Sequence, residues 1–322
     1  MTQIKFIEFF APTTVIDNNE LSLRFPKWTA DKIFKKTGIK TRRIAKSSET
    51  AADLATNAAK NLFKKANIES ICIDFLIFIT QTPNQYSPTT ACEIHHKLNL
   101  RSDCGAIDIN QGCSGYIYGL MIAKSIINSN GAGCVLLLTG YTYSKIIDPN
   151  DSALVTLFGD CSSATLVAND HDNEEEKIGP FAFGTDGANA DLLSCRQGGF
   201  KYSLSEDDKY LRMNGGAIMS FTLKKVPEAI ASYLEMNNYS LQDFDHILMH
   251  QANKFILDRL YSKIGAEEKG IVYISDYGNT VSSSIPCALA GLHFNKIKDT
   301  EKTILLIGFG VGLSWGCTWI KI

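Results

Sequence analysis

The sequence has 322 residues, 45% of them apolar, and its 32 basic and 34 acidic side chains give a net charge of −2. That apolar content can bury a large core, whereas near-neutral charge without a basic, aromatic-rich stripe predicts that nucleic acid is not a partner. No secretory signal pattern opens the chain and no apolar run approaches the ~20 residues that span a bilayer, so we expect no membrane partner.

Taken in chain order, short continuous apolar runs alternate with longer amphipathic stretches, which is typical of an α/β protein with two-sided central strands. The runs predict strands at 74–81, 133–139, 162–167, 178–183, 245–249, 303–307 and 314–320. The amphipathic stretches predict helices at 51–66, 88–98, 115–128, 216–237, 253–263 and 282–298.

The second half of the chain repeats the pattern of the first. The strand candidates beginning at Asp74 and Cys134 match those beginning at Asp245 and Thr303, at nearly equal offsets of 171 and 169 residues. We therefore expect an internal duplication, with an N-terminal half at 1–170 and a C-terminal half at 171–322. The polar run 169–177 falls at this boundary, and a functional site is expected between the halves.

The nine cysteines are an odd number, and no two of them have the two-residue spacing of zinc or redox sites. We expect a reduced, cytoplasmic protein without a metal site, in which most thiols are small buried side chains. Cys113 differs because it lies between Gly112 and Gly115 at the start of helix 115–128. Unpaired N–H groups at a helix N-terminus favour the thiolate, so Cys113 is a candidate nucleophile; the alternative is a buried helix-start cysteine.

Further motifs follow strands in the second half. His250 ends strand 245–249, where α/β sheets place functional groups, and Asn253 can cap the next helix. A lone histidine is more often structural, and the Gly-Asn pair at Asn279 by itself indicates a turn. The glycine loop 308–316 superficially resembles a dinucleotide-binding loop, but a strand rather than a helix follows it.

In their order and spacing, these four motifs resemble the ketoacyl-acyl-carrier-protein synthase III family. They are Cys113 at a helix start, His-Gln-Ala-Asn at 250–253, Tyr-Gly-Asn-Thr at 277–280 and the glycine loop at 308–316. Shorter matches lie at 36–45, 158–160, 184–187 and 213–215, so the resemblance covers essentially the whole chain.

The resemblance implies a thiolase-like, five-layered αβαβα fold built from two duplicated halves, and a homodimer. It also implies that Cys113 accepts an acyl group as a thioester, with His250 and Asn279 completing a catalytic triad. Backbone N–H groups of Cys113 and Val311 would form the oxyanion hole, at roughly 3 kcal/mol per donor. The acyl-cysteine would condense with a malonyl thioester that loses CO₂. Acyl-coenzyme A or acyl carrier protein would be substrate and partner, and no metal or redox cofactor is required.

Several positions that the resemblance assigns to substrate binding depart from the common family pattern. Lys32 and Lys36 stand where a tryptophan and an arginine serve the adenine and phosphate of coenzyme A, and Ser152 stands in place of a second arginine. Phe255 replaces the arginine that docks carrier protein, shortly after Asn253, which is also assigned to substrate binding. Lysine keeps the charge but cannot bind bidentately, so the choice between coenzyme A and carrier-protein donors stays open.

Two departures concern the acyl pocket. Val311 replaces the middle glycine of the oxyanion loop, and Ser87 replaces a bulky residue that often closes the acyl tunnel. We expect a pocket different from that of an acetyl-specific enzyme, with the acyl chain length left open. The apolar region around Phe158 and Val167 is expected to suit a dimer interface.

Two other functions stay open on the sequence. A same-fold acyltransferase would pass the acyl group to an amine or a hydroxyl instead of a carbanion, and CO₂ release from a malonyl thioester separates it from a condensing enzyme. A non-catalytic partner subunit would only bind acyl groups or another synthase. Retention of Cys113, His250 and Asn279 argues against that last function, because a scaffold needs none of them.

Overall fold

The computed structural model of the protein describes residues 1–170, 175–201, 209–292 and 301–322. Its strands are β1 Thr2–Phe10, β2 Thr14–Asp17, β3 Thr41–Ile44, β4 Phe75–Ile79, β5 Gly105–Ile109, β6 Cys134–Tyr141, β7 Cys161–Asn169, β8 Ala182–Thr185, β9 Leu193–Ser194, β10 Arg212–Met213, β11 His246–Met249, β12 Thr303–Gly310 and β13 Ser314–Lys321. Its helices are α1 Asn18–Arg24, α2 Ala30–Thr37, α3 Ala51–Ala66, α4 Thr90–Lys97, α5 Gly115–Asn128, α6 Ser152–Val155, α7 Gly215–Met236, α8 Lys254–Ile264 and α9 Ser284–Gly291.

Two sheets form the framework. The first has the strand order β1-β7-β6-β4-β5, with β4 parallel to β6 and β5, and β7 antiparallel to β1 and β6. The second has the order β8-β13-β12-β11, with β11 parallel to β12, and β13 antiparallel to both of its neighbours. The second sheet therefore repeats the order and directions of four strands of the first. This agreement supports the division into halves at 1–170 and 171–322, which stays a prediction.

Alternating side chains of the central strands separate the core into layers. In β4, Ile77 and Ile79 pack between the two sheets, while Leu76 and Phe78 pack on the outer face, as the period of two in a strand requires. Helices α5 and α9 fill the space between the sheets. Helices α3 and α4 cover the outer face of the first sheet, and α7 and α8 cover that of the second. The result is the five-layered αβαβα arrangement that the resemblance implied.

Local signals set the helix boundaries. Helix α3 begins at a capping box, in which the Thr50 hydroxyl accepts from the N–H of Asp53 and the Asp53 carboxylate accepts from the N–H of Thr50. Asn253 caps α8 as predicted, since its Oδ1 accepts from the N–H of Ile256 at 2.8 Å. Gly265 then ends α8 with a left-handed φ of 68°.

In the described ranges, no helix combines the length and apolarity needed to cross a bilayer.

Strand β8 lies further along the chain than the predicted strand 178–183. Ile178 makes only an isolated bridge to Ile320, and the ladder with β13 begins at Ala182. Pro180 stands between them and has no N–H to donate to a ladder. The predicted strand therefore begins too early, because the apolar run at 178–183 also includes residues that precede β8.

Helix α9 is shorter than the predicted helix 282–298. A 3₁₀ turn covers Val281–Ser283, and the α-helix extends over Ser284–Gly291. Residues 293–298 of the prediction lie outside the described residues, as do 171–174 of the polar run at the boundary of the halves.

The strand region around Phe158 and Val167 was expected to form a dimer interface, and this expectation is wrong. Strand β7, which carries Val167, pairs with β1 on one side and with β6 on the other, so it is internal. Phe158 and Val167 are both buried within the chain itself. The edges of the first sheet are β1 and β5.

Candidate active site

Cys113 lies in the turn that connects β5 to α5. The N–H of Gly115 bonds the carbonyl of Gly112 at 2.8 Å, which closes the turn, and Cys113 is only 5% exposed. Gly310 of the opposite half faces the thiol so closely that a Cβ there would lie 2.8 Å from Cys113 Sγ. Its φ of 156° is a second reason for glycine at this position.

Two opposing effects act on the Cys113 thiol. Backbone hydrogen bonds at Val311 and at Cys113 itself lower its pKa, but burial dominates and raises the pKa to about 12. Burial therefore acts against the lowered pKa that its place before a helix predicted. The same two backbone groups are the predicted donors of the oxyanion hole.

His250 follows β11 and is almost fully buried. Its backbone N–H donates to the carbonyl of Ile307 at 2.8 Å, and its Nδ1 lies 2.8 Å from the Oγ of Ser284. Burial lowers the pKa of His250 to about 3, with a backbone hydrogen bond at Val281 opposing the shift. The imidazole is therefore neutral at physiological pH.

The Ser284 hydroxyl can support one neutral form of this ring. Its Oγ accepts from the backbone N–H of Gln251 at 3.2 Å, so its hydroxyl hydrogen is available to His250 Nδ1. A proton donated to Nδ1 leaves the ring's own proton on Nε2, which makes Nε2 a hydrogen-bond donor.

Asn279 is held by the turn that precedes α9. Gly278 adopts a φ of 75°, and the backbone N–H of Asn279 donates to the carbonyl of Leu157 at 2.9 Å in the other half. The side-chain Oδ1 accepts from the N–H of Val281 at 3.0 Å, which orients the amide. Its Nδ2 can therefore act as a donor in the cavity that Asn279 lines.

These three side chains line one cavity of about 480 Å³. Cys113 comes from the first half, and His250 and Asn279 come from the second. Much of the remaining wall is apolar, formed by Leu157, Phe158, Leu193, Met213, Ile218 and Phe309. The arrangement combines a thiol, two neutral hydrogen-bond donors and a low-dielectric wall, which suits chemistry on a carbonyl compound.

The predicted substrate residues are only partly at this cavity. Lys36, Asn253 and Phe255 line it, whereas Ser152 begins α6 beside the lining residue Ala153. Ser87, which precedes a cis-proline peptide, lies outside the cavity and is exposed.

Trp28 was not predicted, yet it lines the cavity. The ammonium groups of Lys32 and Lys36 lie 4.8 and 4.6 Å from the centre of its ring, so both lysines are gathered at one aromatic surface. A tryptophan four residues before Lys32 was the available signal. Phe255 is in turn covered by the guanidinium of Arg259 at 4.3 Å, which places a positive charge near the position where the family pattern has arginine.

Ser284 was also missed, because nothing local to Ser284 indicates a partner that lies 34 residues away in sequence. The described part of the chain contains no group of three or more His, Cys, Asp or Glu side chains that could hold a metal ion.

Comparison with known proteins is consistent over nearly the whole length. The profile of the family described as 3-oxoacyl-[acyl-carrier-protein (ACP)] synthase III matches residues 107–187, and the profile of its C-terminal region matches residues 234–322. The beta-ketoacyl-[acyl-carrier-protein] synthase III of Streptococcus agalactiae is 36% identical, with 99% of each chain covered. That of Clostridium tetani is 34% identical, with 97% of this chain and 96% of the relative covered.

Solved structures agree. A crystal structure of a 3-oxoacyl-(acyl-carrier-protein) synthase III is 41% identical with a TM-score of 0.96, covering 100% of this chain and 99% of that chain. A 3-oxoacyl-(acyl-carrier protein) synthase of Burkholderia xenovorans is 33% identical with a TM-score of 0.93, covering 100% of this chain and 94% of that chain. The chain therefore belongs to the 3-oxoacyl-[acyl-carrier-protein] synthase III family, as a condensing acyltransferase of the thiolase-like fold.

Proposed function

We propose that this protein loads an acyl group onto Cys113 and condenses it with a malonyl thioester to give a β-ketoacyl thioester. One observation carries the proposal: Cys113, His250 and Asn279 line one cavity, with the thiol against the backbone groups of Cys113 and Val311. The names of the relatives, which specify an acyl carrier protein, support the same reaction.

In the first step, Cys113 Sγ attacks the carbonyl carbon of the acyl thioester. The carbonyl oxygen becomes an oxyanion, which the N–H groups of Cys113 and Val311 stabilise. The carbon–sulfur bond of the donor then breaks, and the departing thiolate takes up the proton that Cys113 loses. The products are acyl-Cys113 and a free donor thiol, with no net change in charge.

In the second step, the malonyl thioester loses CO₂ and its electron pair forms an enolate. Nε2–H of His250 and Nδ2–H of Asn279 donate to the enolate oxygen. Both donors are neutral, so they stabilise the negative charge of the enolate by hydrogen bonds and form no ion pair with it. The carbanion attacks the acyl carbonyl, the bond to Cys113 Sγ breaks, and the released thiolate takes a proton from solvent. This chemistry requires no metal or redox cofactor.

The thioester donor is proposed to enter past Trp28. The two ammonium groups of Lys32 and Lys36 at this ring suit a phosphate-bearing donor, which coenzyme A and the phosphopantetheine of a carrier protein both provide. Phe255 with Arg259 over its ring offers an apolar contact and a positive charge on α8. These features support acyl carrier protein as a partner and coenzyme A thioesters as donors.

A homodimer is proposed through the exposed edge of the first sheet. Strand β5 pairs only with β4 in the described chain, and its Ile107 is 36% exposed. Tyr86 lines a cavity together with Asn110, which follows β5. Tyr86 is 66% exposed, and its ring lies 5.5 Å from that of Phe200, which is 96% exposed. Exposed aromatics of this size are typical of interfaces. An Ile107→Asp variant that sediments as a monomer would support this edge, and an unchanged mass would exclude it.

We also propose a cytoplasmic location, since all nine cysteines are free and a reducing compartment maintains that state.

The test combines intact-protein mass with product analysis. After incubation with an acyl-coenzyme A, the native protein is expected to gain one acyl mass, and Cys113→Ala is not. Cys317→Ala is the matched control, because it removes another buried thiol in a different cluster. Addition of malonyl carrier protein should then release CO₂ and yield a ketone product. Acylation followed by an ester or amide product would instead identify an acyltransferase, and no acylation at all would leave a non-catalytic subunit.

A further inference from the structure

Two loops from opposite halves of the chain meet at the Cys113 thiol. Cys113 directly precedes the start of α5 in the first half, and Val311 lies between β12 and β13 in the second. Both are proposed to donate backbone N–H groups to one oxyanion, and such donors stabilise it only at hydrogen-bond distance. The position of one loop relative to the other therefore has to be fixed.

A cluster of three polar side chains joins these loops. Gln111 and Ser114 belong to the Cys113 loop, Ser314 begins β13, and we call the three the amide–serine cluster. Gln111 Nε2 lies 3.0 Å from Ser114 Oγ and 3.1 Å from Ser314 Oγ, and the two serine oxygens are 2.8 Å apart. Both serines are buried, so these hydrogen bonds are protected from competition by water.

The carbonyl of Val311 determines the directions of the hydrogen bonds in the cluster. Ser314 Oγ donates its single hydrogen to that carbonyl at 2.8 Å. Between the two serines, Ser114 is therefore the donor and Ser314 the acceptor. Neither serine has a hydrogen left for Gln111, so the amide presents Nε2, with one hydrogen for each oxygen. The donors form one directed chain from Gln111 through the serines to Val311.

The backbone of Gln111 is itself held by a buried tyrosine. The Tyr141 hydroxyl donates to the carbonyl of Gln111 at 2.7 Å, and Ser282 Oγ lies 2.6 Å from the same hydroxyl. Ser282 belongs to the 3₁₀ turn Val281–Ser283, whose first N–H bonds Asn279 Oδ1. The cluster is therefore anchored to the turn that carries Asn279.

The two loops also pack directly against each other. A Cβ at Gly112 would lie 2.0 Å from Val311 Cγ1, so only the bare backbone of glycine leaves room for the Val311 side chain. A Cβ at Gly308 would lie 2.8 Å from the Cα of Ser114. Close packing and the directed hydrogen bonds thus act on the same pair of loops.

We propose that Gln111, Ser114 and Ser314 are positioning residues of the oxyanion hole, which hold the Val311 peptide at a fixed distance from the backbone of Cys113. This inference rests on the proposed function, because it assigns the N–H of Val311 to the tetrahedral oxyanion. The three side chains act through the Val311 peptide and do not touch the substrate. Their loss should therefore affect the steps that build an oxyanion more than other reactions of the thiol.

The experiment compares two reactions of Cys113 at one fixed pH. Acetyl-coenzyme A acylates the thiolate through an oxyanion, whereas iodoacetamide alkylates it by displacing iodide and builds no oxyanion. The ratio of the two rates therefore reports oxyanion stabilisation, because the thiolate fraction cancels. In Ser314→Ala this ratio should fall about tenfold, less than the hundredfold or more that follows complete loss of one donor. Ser314→Thr keeps the hydroxyl and should keep the native ratio.

Two Gln111 variants test the direction of the hydrogen-bond chain. Gln111→Met keeps a side chain of similar length without its hydrogens, and the ratio should fall about fivefold, the effect of one neutral hydrogen bond. Gln111→Glu should lower the ratio further, because a carboxylate accepts hydrogens and draws those of the serines away from Val311. A native ratio in Gln111→Glu would overturn the inference.

Thr56→Val is the matched control. Thr56 is buried in α3, and its hydroxyl also donates to a backbone carbonyl at 2.8 Å, that of Ala52. Its ratio should equal that of the native protein. An unchanged ratio in both Ser314→Ala and Gln111→Met would overturn the inference. So would equal losses in Ser314→Ala and Ser314→Thr, because the hydroxyl would then have no role.

The alkylation rates alone separate this inference from the proposed function. The backbone group of Val311 lowers the pKa of the Cys113 thiol, so its displacement in Ser314→Ala should slow alkylation, while Ser314→Thr and Thr56→Val should react at the native rate. If no acyl donor reacted, the proposed function would fail, yet slower alkylation of Ser314→Ala would still support the positioning role. In that case, alkylation of Ser314→Ala at the native rate would overturn it.

Discussion

His250 Nδ1 and Ser284 Oγ lie 2.8 Å apart, although the two residues belong to different elements of the second half. Because Ser284 also accepts from the N–H of Gln251, its hydroxyl hydrogen can be directed at the ring and hold the His250 proton on Nε2. Ser284 thus acts as a positioning residue for the group that is proposed to stabilise the enolate.

Replacement of Ser284 should separate the two half-reactions. We expect Ser284→Ala to slow malonyl decarboxylation about tenfold, since a lost hydrogen bond of ~1.5 kcal/mol has that effect on a rate. Cys113 acylation should be unchanged. Ser284→Thr keeps the hydroxyl and should restore decarboxylation, while ¹⁵N NMR should show the Nε2–H form lost only in the alanine variant. An equal loss of both half-reactions would indicate a purely structural role.

Burial of His250 should appear in the pH dependence of stability. Its pKa is about 3 in the folded chain against the ordinary pKa of 6.5 that it has in the unfolded chain, so the unfolded chain binds the proton first as the pH falls. This contribution to stability is complete above pH 6.5 and is lost between pH 6.5 and 3. At pH 5 the loss is about 2 kcal/mol. Urea denaturation at pH 7 and pH 5 should show a smaller difference in His250→Gln than in the native protein, and equal differences would contradict the prediction.

Gly310 should tolerate no side chain. In Gly310→Ala the new methyl group would lie 2.8 Å from Cys113 Sγ, so the thiol must move. We expect Cys113 acylation to fall by about a hundredfold, the effect of a misplacement of about 1 Å at a reacting group. Gly187→Ala is the control, because a Cβ there has no atom within 4 Å. Acylation of Gly310→Ala at the native rate would contradict the prediction, because it would show that the backbone at residue 310 can move away from Cys113.

Lys36 should contribute to the binding of acyl-coenzyme A rather than to the acyl-transfer steps. Lys36→Ala removes one of the two cations at Trp28 and should raise KM for acyl-coenzyme A about fivefold with little change in kcat. The effect should weaken as salt is added, because an exposed charge is screened. Lys35→Ala is the control, since Lys35 lies on the same helix but is paired with Asp31 at 2.8 Å. A change in kcat alone would argue against this role.

Local patterns were sufficient where the signal is contained within a few residues. The amphipathic period predicted α3 and α5 to the residue, and the motifs at Cys113, His250 and Asn279 named three side chains that the fold brings to one cavity. Their catalytic roles stay proposals. Strand β5 was missed because Gly105–Ile109 is only partly buried and contains an aspartate, so it has no continuous apolar run.

The sequence by itself therefore determined the family, the layered α/β architecture and the reactive residue types, because each is written in short, local patterns and in their order. Only the tertiary structure decided that burial raises the pKa of Cys113, that Ser284 faces His250, and that Tyr143 contacts Gln81. The physical reason is that desolvation and pairing depend on every neighbour in space. Most of those neighbours come from distant parts of the chain.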